Sequence, residues 1–192
     1  MSRSRIRASV VTAVALAAVS LVLVVQASAA GGHVGVGFNA PSIAGFPGDF
    51  TGGTVFLSGG GSYEPSSASN TDPGSAFVRS NGGFRCLDEV RQGPLQGCAQ
   101  GQGVRWDTDG LLQSTGFKCT GRASEAKKTA VTDAHTAVLE SDFYRAGDGN
   151  DASFKNVQVI ISDHDLAPDI DGIQNVWIQQ VGCGTADVNF SS

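Results

Sequence analysis

The chain has 192 residues, 18 acidic against 13 basic side chains, a net charge of −5 and 26 glycines. That length fits one domain with a sizeable core, and the acidic surplus repels phosphate backbones, which excludes nucleic acid as a partner. Glycine stands at about double its usual share of ~7% but keeps no fixed period, which excludes a collagen-like chain and points to turns and bulges between short strands.

The chain opens on Arg3, Arg5 and Arg7, a charge-free stretch over 8–25, and the small residues Ala27-Ser28-Ala29. This is the order of a secretory signal, with cleavage predicted after Ala29 and residues 30–192 left as a single secreted β-rich domain. A membrane anchor is the rival, because the apolar run approaches the ~17 residues that span a bilayer. The small-residue exit and Gly31-Gly32 favour cleavage. Ser4 interrupts the arginines and no cysteine follows the apolar run, so neither a twin-arginine signal nor a lipid anchor is expected. No second long apolar stretch follows, so no membrane association is expected after cleavage. Ten basic and eighteen acidic residues then remain, a net charge of −8.

Strand signals follow in chain order. Residues 54–58 and 76–80 are β-branched and aromatic, and end at Gly59-Gly60-Gly61 and Asn81-Gly82-Gly83. Between them, 64–74 has loop composition. Phe84-Arg85-Cys86 is echoed by Phe117-Lys118-Cys119. In a strand, Phe and Cys two apart share a face, so each segment should bury both. Trp106-Asp107-Thr108-Asp109-Gly110 reads as a strand end and turn, with Trp106 the exposed tryptophan, suited to stacking on a sugar, and Trp177 the core one. One helix is predicted over 124–135, with Ser124 as N-cap and Glu125 in the first turn, although Thr129, Val131 and Thr132 are poor helix formers. Residues 136–145 and 153–162 read as a hairpin about the turn at 146–151. After an acidic loop at 163–172, 175–181 is a strong strand, and Val188 and Phe190 end the sheet. Eight or so short strands predict an all-β fold, a single disulfide-linked β-sandwich or small β-barrel with at most one short helix.

Four cysteines, Cys86, Cys98, Cys119 and Cys183, imply two disulfides in an exported chain. Local closure favours Cys86–Cys98, leaving Cys119–Cys183. A Cys86–Cys119 link is the alternative if the two Phe-(Arg/Lys)-Cys segments are neighbouring strands. A zinc site is disfavoured, because no two cysteines have knuckle spacing.

The most distinctive polar stretch is Asp163-His164-Asp165-Leu166-Ala167-Pro168-Asp169-Ile170-Asp171-Gly172. Asp163, Asp165, Asp169 and Asp171 are candidate calcium ligands, since a hard cation takes several carboxylate oxygens. The stretch lacks the ligand spacing of an EF-hand, and the competing reading is turn chemistry. The oxygen-rich tip at 148–151 is a second, weaker candidate. His33, His135 and His164 form no recognised metal or triad spacing, and Glu64 breaks a Gly-x-Ser-x-Gly elbow around Ser62. Acids such as Asp88, Glu89, Asp107 and Asp109 leave a glycosidase-like carboxylate pair open.

The stretches Phe143-Tyr144-Arg145-Ala146-Gly147-Asp148-Gly149-Asn150, Gln174-Asn175-Val176-Trp177-Ile178 and Val181-Gly182-Cys183-Gly184 resemble a family of small exported proteins of high-GC Gram-positive bacteria. The resemblance covers most of the mature chain. It implies export and a single domain, and it carries no activity or site residues. The reading is therefore a secreted domain that binds a cell-surface or small-molecule ligand, or belongs to the cell envelope, without catalysis and with no cofactor beyond calcium. The alternatives are a small extracellular hydrolase using acidic residues, with or without a metal, and a calcium-stabilised adhesion module.

Overall fold

The structure, a computed structural model, describes residues 32–45 and 52–192. The export segment at 1–29 lies outside the described residues. Within them the chain forms ten strands: β1 (Val34–Ala44), β2 (Thr54–Tyr63), β3 (Val78–Cys86), β4 (Arg105–Leu111), β5 (Ser114–Phe117), β6 (Lys128–Val131), β7 (Thr136–Tyr144), β8 (Phe154–Ser162), β9 (Val176–Ile178) and β10 (Gly182–Ser191). Eight of them close into an antiparallel barrel in the order β1-β10-β9-β8-β7-β4-β3-β2. Each barrel strand thus pairs with its neighbour in the chain once the β5–β6 hairpin is set aside, and β10 returns to pair with β1. Closure leaves no open sheet edge in the barrel.

The interior of an eight-stranded barrel is just wide enough for side chains or one small ligand. Here side chains take it: Tyr63, Phe84, Trp106, Phe143, Leu57, Leu139, Ile161 and Ile178 are each less than 2% exposed or close to it. Trp106, expected at the surface, is fully buried. Its indole Nε1 donates to Ser58 O at 2.9 Å, and its ring lies 6.3 Å from Phe143, nearly parallel to it. The glycines opposite make the room. A Cβ on Gly59 would stand 2.5 Å from Trp106 Cζ2, and one on Gly82 would stand 1.9 Å from Ser58 O. Residues 106–110, expected as a strand end and turn, lie wholly within β4, and Trp106 belongs to its inner face.

One inner row is polar. Gly61 pairs with Ser80, and Thr108 with Ser141, on the same face as Phe84, Trp106 and Phe143. The hydroxyls of Ser80, Thr108 and Ser141 are buried and have no hydrogen-bond partner among the described residues. An unsatisfied buried hydroxyl costs about 1–3 kcal/mol. Ser141→Ala is therefore expected to leave stability unchanged or to raise it by about 1 kcal/mol in a urea titration. A loss of similar size would show that this hydroxyl is bonded after all.

Outside the barrel lies a second apolar layer. Val138, Ile160, Trp177 and Cys183 pair in one continuous row across β7, β8, β9 and β10. The β5–β6 hairpin covers this row with Leu112, Phe117, Cys119 and Ala130, and the 163–172 loop adds Leu166, Ala167 and Ile170. Both faces of β7 are consequently buried along most of Thr136–Tyr144. Trp177 is 4% exposed, as its apolar strand predicts, and its Nε1 donates to Lys118 O at 2.9 Å. The two disulfides are Cys86–Cys98 and Cys119–Cys183. The first closes a loop beside β3. The second staples the hairpin to β10. Phe84 and Cys86, and likewise Phe117 and Cys119, are all buried as their shared spacing predicts, but in different layers: Phe84 and Cys86 join the barrel core and Phe117 and Cys119 the outer layer.

The predicted helix over 124–135 does not form; the segment is a turn followed by β6. The reason is Glu125. Its carboxylate reaches back and accepts from the backbone N–H groups of Cys119, Thr120 and Gly121 at 2.7, 2.8 and 3.1 Å, and from Thr120 Oγ1 at 2.6 Å. Lys128 Nζ adds an ion pair at 3.2 Å. These bonds hold the chain in a tight loop, and the β-branched Thr129 and Val131 then continue it as a strand rather than a helix.

Candidate functional site

The carboxylates of three of the four candidate calcium ligands engage separate partners, and the fourth is exposed. Asp163 bonds His135 Nδ1 at 2.7 Å and His164 Nδ1 at 2.5 Å. Asp165 Oδ1 accepts from the backbone of Ala167 and Gln174 at 3.0 and 3.1 Å, which is turn chemistry. Asp169 pairs with Lys128 Nζ at 3.1 Å. Asp171 is exposed, and its backbone carbonyl accepts from Gln174 Nε2 at 3.1 Å. Among the described residues no group of three or more His, Cys, Asp or Glu side chains is placed to hold a metal ion. At the 148–151 tip, Asp148 Oδ2 bonds Arg145 N at 2.6 Å and the Ser153 hydroxyl, so it too braces a turn.

Sequence spacing did not pair the histidines, but the β7–β8 register does. Thr136 stands opposite Ser162, which brings the flanking His135 and His164 to ring centroids 6.0 Å apart with Asp163 between them. The hydrogen bond and charge of Asp163 raise the pKa of His135. Partial burial works against ionisation of Asp163, yet the bonds from His135 and His164 outweigh it and hold its pKa below the usual carboxylate value. The hydroxyls nearest the imidazoles, Thr136 and Ser162, are buried, and Ser162 Oγ donates to His135 O at 3.2 Å. This trio clamps two strand ends, and neither hydroxyl is presented to solvent as a nucleophile would be.

A surface cavity lies where the hairpin meets the barrel. It measures about 360 Å³ and is lined by Phe117, Lys118, Lys127, Gln158, Trp177 and Gln179, with Gly116, Gly121 and Gln180 at its rim. Phe117 and Trp177 form its floor, their rings 5.7 Å apart and tilted by 54°. The polar groups are mostly donors. The Gln158 backbone N–H donates to Gln179 Oε1 at 3.2 Å, which fixes that amide with its NH₂ as the remaining group. Gln158 Oε1 accepts from Thr115 Oγ1 at 2.7 Å. Lys118 Nζ donates to the neutral carbonyl of Arg122 at 2.8 Å. Lys127 lies across Gly116, its Cε 2.1 Å from where a Cβ would be. Neither Lys118 nor Lys127 pairs with a carboxylate among the described residues.

This groove joins three distant segments, and sequence reasoning did not find it. The signal that points to it is charge. Lys118, Arg122, Lys127 and Lys128 fall within 11 residues holding a single acid, Glu125, in a chain of net charge −5. Glu125 holds the loop that joins β5 to β6 in shape. Burial opposes its ionisation, but the bonds from Thr120, Cys119 and Lys128 outweigh that and lower its pKa from 4.5 to about 2. A carboxylate with a depressed folded pKa stabilises the fold in full above its unfolded value and loses that contribution as pH falls through the folded one. The hairpin is therefore expected to loosen between about pH 4.5 and pH 2, read as a change in Trp177 emission. Glu125→Gln should abolish that acid step and cost about 2 kcal/mol at neutral pH, as loss of charged hydrogen bonds does.

The fold and groove define a class: a closed antiparallel barrel with a filled interior and a cationic groove on its outer wall. No family model matches the chain, and no curated protein or solved structure matches it. Two formed disulfides indicate an oxidising, extracellular-type environment, and no helix among the described residues is long and apolar enough to cross a membrane.

Proposed function

We propose that the domain is exported by residues 1–29 and acts outside the cytoplasm as a non-catalytic binding module, taking an anionic ligand in the groove between the β5–β6 hairpin and strands β8 and β9. The observation that carries this reading is the pair Lys118 and Lys127, two ammonium groups beside the groove with no carboxylate partner among the described residues, in an acidic protein. A filled barrel interior favours a site on the wall rather than inside. The resemblance to exported proteins of high-GC Gram-positive bacteria supports the export half. The calcium-adhesion reading depended on Asp163, Asp165 and Asp169, which here engage separate partners.

The test is retention on immobilised dextran sulfate at low salt. The wild-type domain should be retained despite its net negative charge and should elute as salt screens the contact. Lys118→Gln with Lys127→Gln should pass through, while the charge-matched pair Arg85→Gln with Lys155→Gln, exposed elsewhere on the barrel, should still be retained. Equal behaviour of the two variants would refute the groove as the anionic site.

A further inference from the structure

We infer that the ligand of this groove is an acidic glycan, a sugar chain whose carboxylate meets Lys118 and Lys127 while its ring lies along the floor of Phe117 and Trp177. The inference rests on the anion-binding reading above and names the chemistry of the occupant.

Three features separate a charged sugar from a bare oxyanion. The first is size. At about 360 Å³ the groove falls in the range of about 300–1,000 Å³ that takes whole organic ligands. An isolated phosphate or sulfate would leave most of it to water. The second is the floor. Phe117 and Trp177 line the groove but are 3% and 4% exposed, so each offers only a small part of its surface. A narrow apolar strip of this kind suits the C–H edge of a pyranose. It gives nothing to an inorganic anion, whose whole surface is polar.

The third feature is the arrangement of donors. The amides of Gln158 and Gln179 have their oxygens engaged by Thr115 and by the Gln158 backbone, which leaves their NH₂ groups for a ligand. The two ammonium groups stand on the hairpin side of the groove, on 118 and 127, and the amides on the barrel side, on 158 and 179. A ligand spanning the groove therefore needs a full negative charge at one side and neutral acceptors at the other. Ring and hydroxyl oxygens next to a carboxylate meet that requirement. A uniform polyanion places excess charge against neutral amides, where it is desolvated without a counter-charge.

Isothermal titration of the purified domain separates the possibilities with three probes: oligogalacturonate, a neutral maltooligosaccharide of equal length, and polyphosphate of matched charge. Oligogalacturonate should bind at least about tenfold more tightly than either of the others, and Lys118→Gln with Lys127→Gln should weaken it about tenfold or more. In NMR spectra the Trp177 indole N–H should shift on binding while that of Trp106 stays in place. Polyphosphate binding as tightly as oligogalacturonate, with the same loss in the lysine variant, would overturn the glycan and leave the anionic groove standing. No binding of any probe, or binding indifferent to the two lysines, would overturn both.

Discussion

Replacing Cys119 and Cys183 together by alanine should cost the domain about 4 kcal/mol. The bridge joins positions 64 residues apart. Chain-entropy arguments give about 3 kcal/mol for a 15-residue loop and about 4.7 for one of 100 residues, and this one falls between. For a chain of this size each kcal/mol is worth roughly 2–4 °C, so the melting temperature should fall by roughly 8–16 °C. The damage should be local first. Besides the disulfide, the hairpin is tied to the barrel by few bonds, among them Trp177 Nε1 to Lys118 O and Thr115 Oγ1 to Gln158. Once it lifts, Val138, Ile160 and Trp177 face water. Tryptophan emission should shift to the red below the main melting transition, and a hydrophobic dye should bind. The groove should go with it, since Phe117, Lys118 and Lys127 all sit on the hairpin side. A double variant that melts within 2 °C of wild type and keeps its emission would show that the apolar layer alone holds the hairpin.

Trp106→Ala should be the most damaging single substitution in the barrel, at about 3–5 kcal/mol, the usual cost of emptying a large aromatic site. The site cannot collapse easily. It is bounded by backbone at Gly59 and Gly82 and by the rings of Phe38 and Phe143, each held in the closed sheet. Trp106→Phe keeps a ring in place but forfeits the bond to Ser58 O, and should cost less, about 1–2 kcal/mol. Urea titrations of the two variants decide this. A Trp106→Ala variant that loses under 1 kcal/mol would mean that the tryptophan is not the packed centre of the barrel. Neither substitution touches the outer groove, so a variant still folded at low temperature should keep its affinity for anionic ligands.

Much of the architecture was legible in the residues because it depends on local pattern. The β7–β8 hairpin follows from two apolar-rich runs, the second of them alternating, about a Gly-Asp turn, and the structure pairs Ala137 with Ile161 and Leu139 with Val159 accordingly. The Cys86–Cys98 bridge follows from short loop closure, and its partner bridge from elimination. The shared burial of Phe with Cys at a spacing of two follows from the pleat. The all-β class follows from the absence of helical period, and the failed helix at 124–135 shows the limit of a cap signal. Ser124 and Glu125 have the composition of a helix start, but the Glu125 carboxylate finds three backbone donors behind it instead of in front.

What the chain could not disclose by itself is which layer each buried residue joins. Trp106 stands in a largely polar strand and Trp177 in an apolar one, yet both are buried, the first at the centre of the barrel and the second on its outer wall under the hairpin. That assignment depends on barrel closure, on glycines two strands away, and on a hairpin laid over β7, β8 and β9. The same holds for the sites. His135, Asp163 and His164 meet through strand register, the four aspartates part company through their separate turns, and the groove assembles from residues 116–127, 158 and 177–180. Periodicity along a chain reports whether a side chain is buried. Only non-local pairing, fixed when the sheet closes, decides what it is buried against, and ligand sites are made of such neighbours.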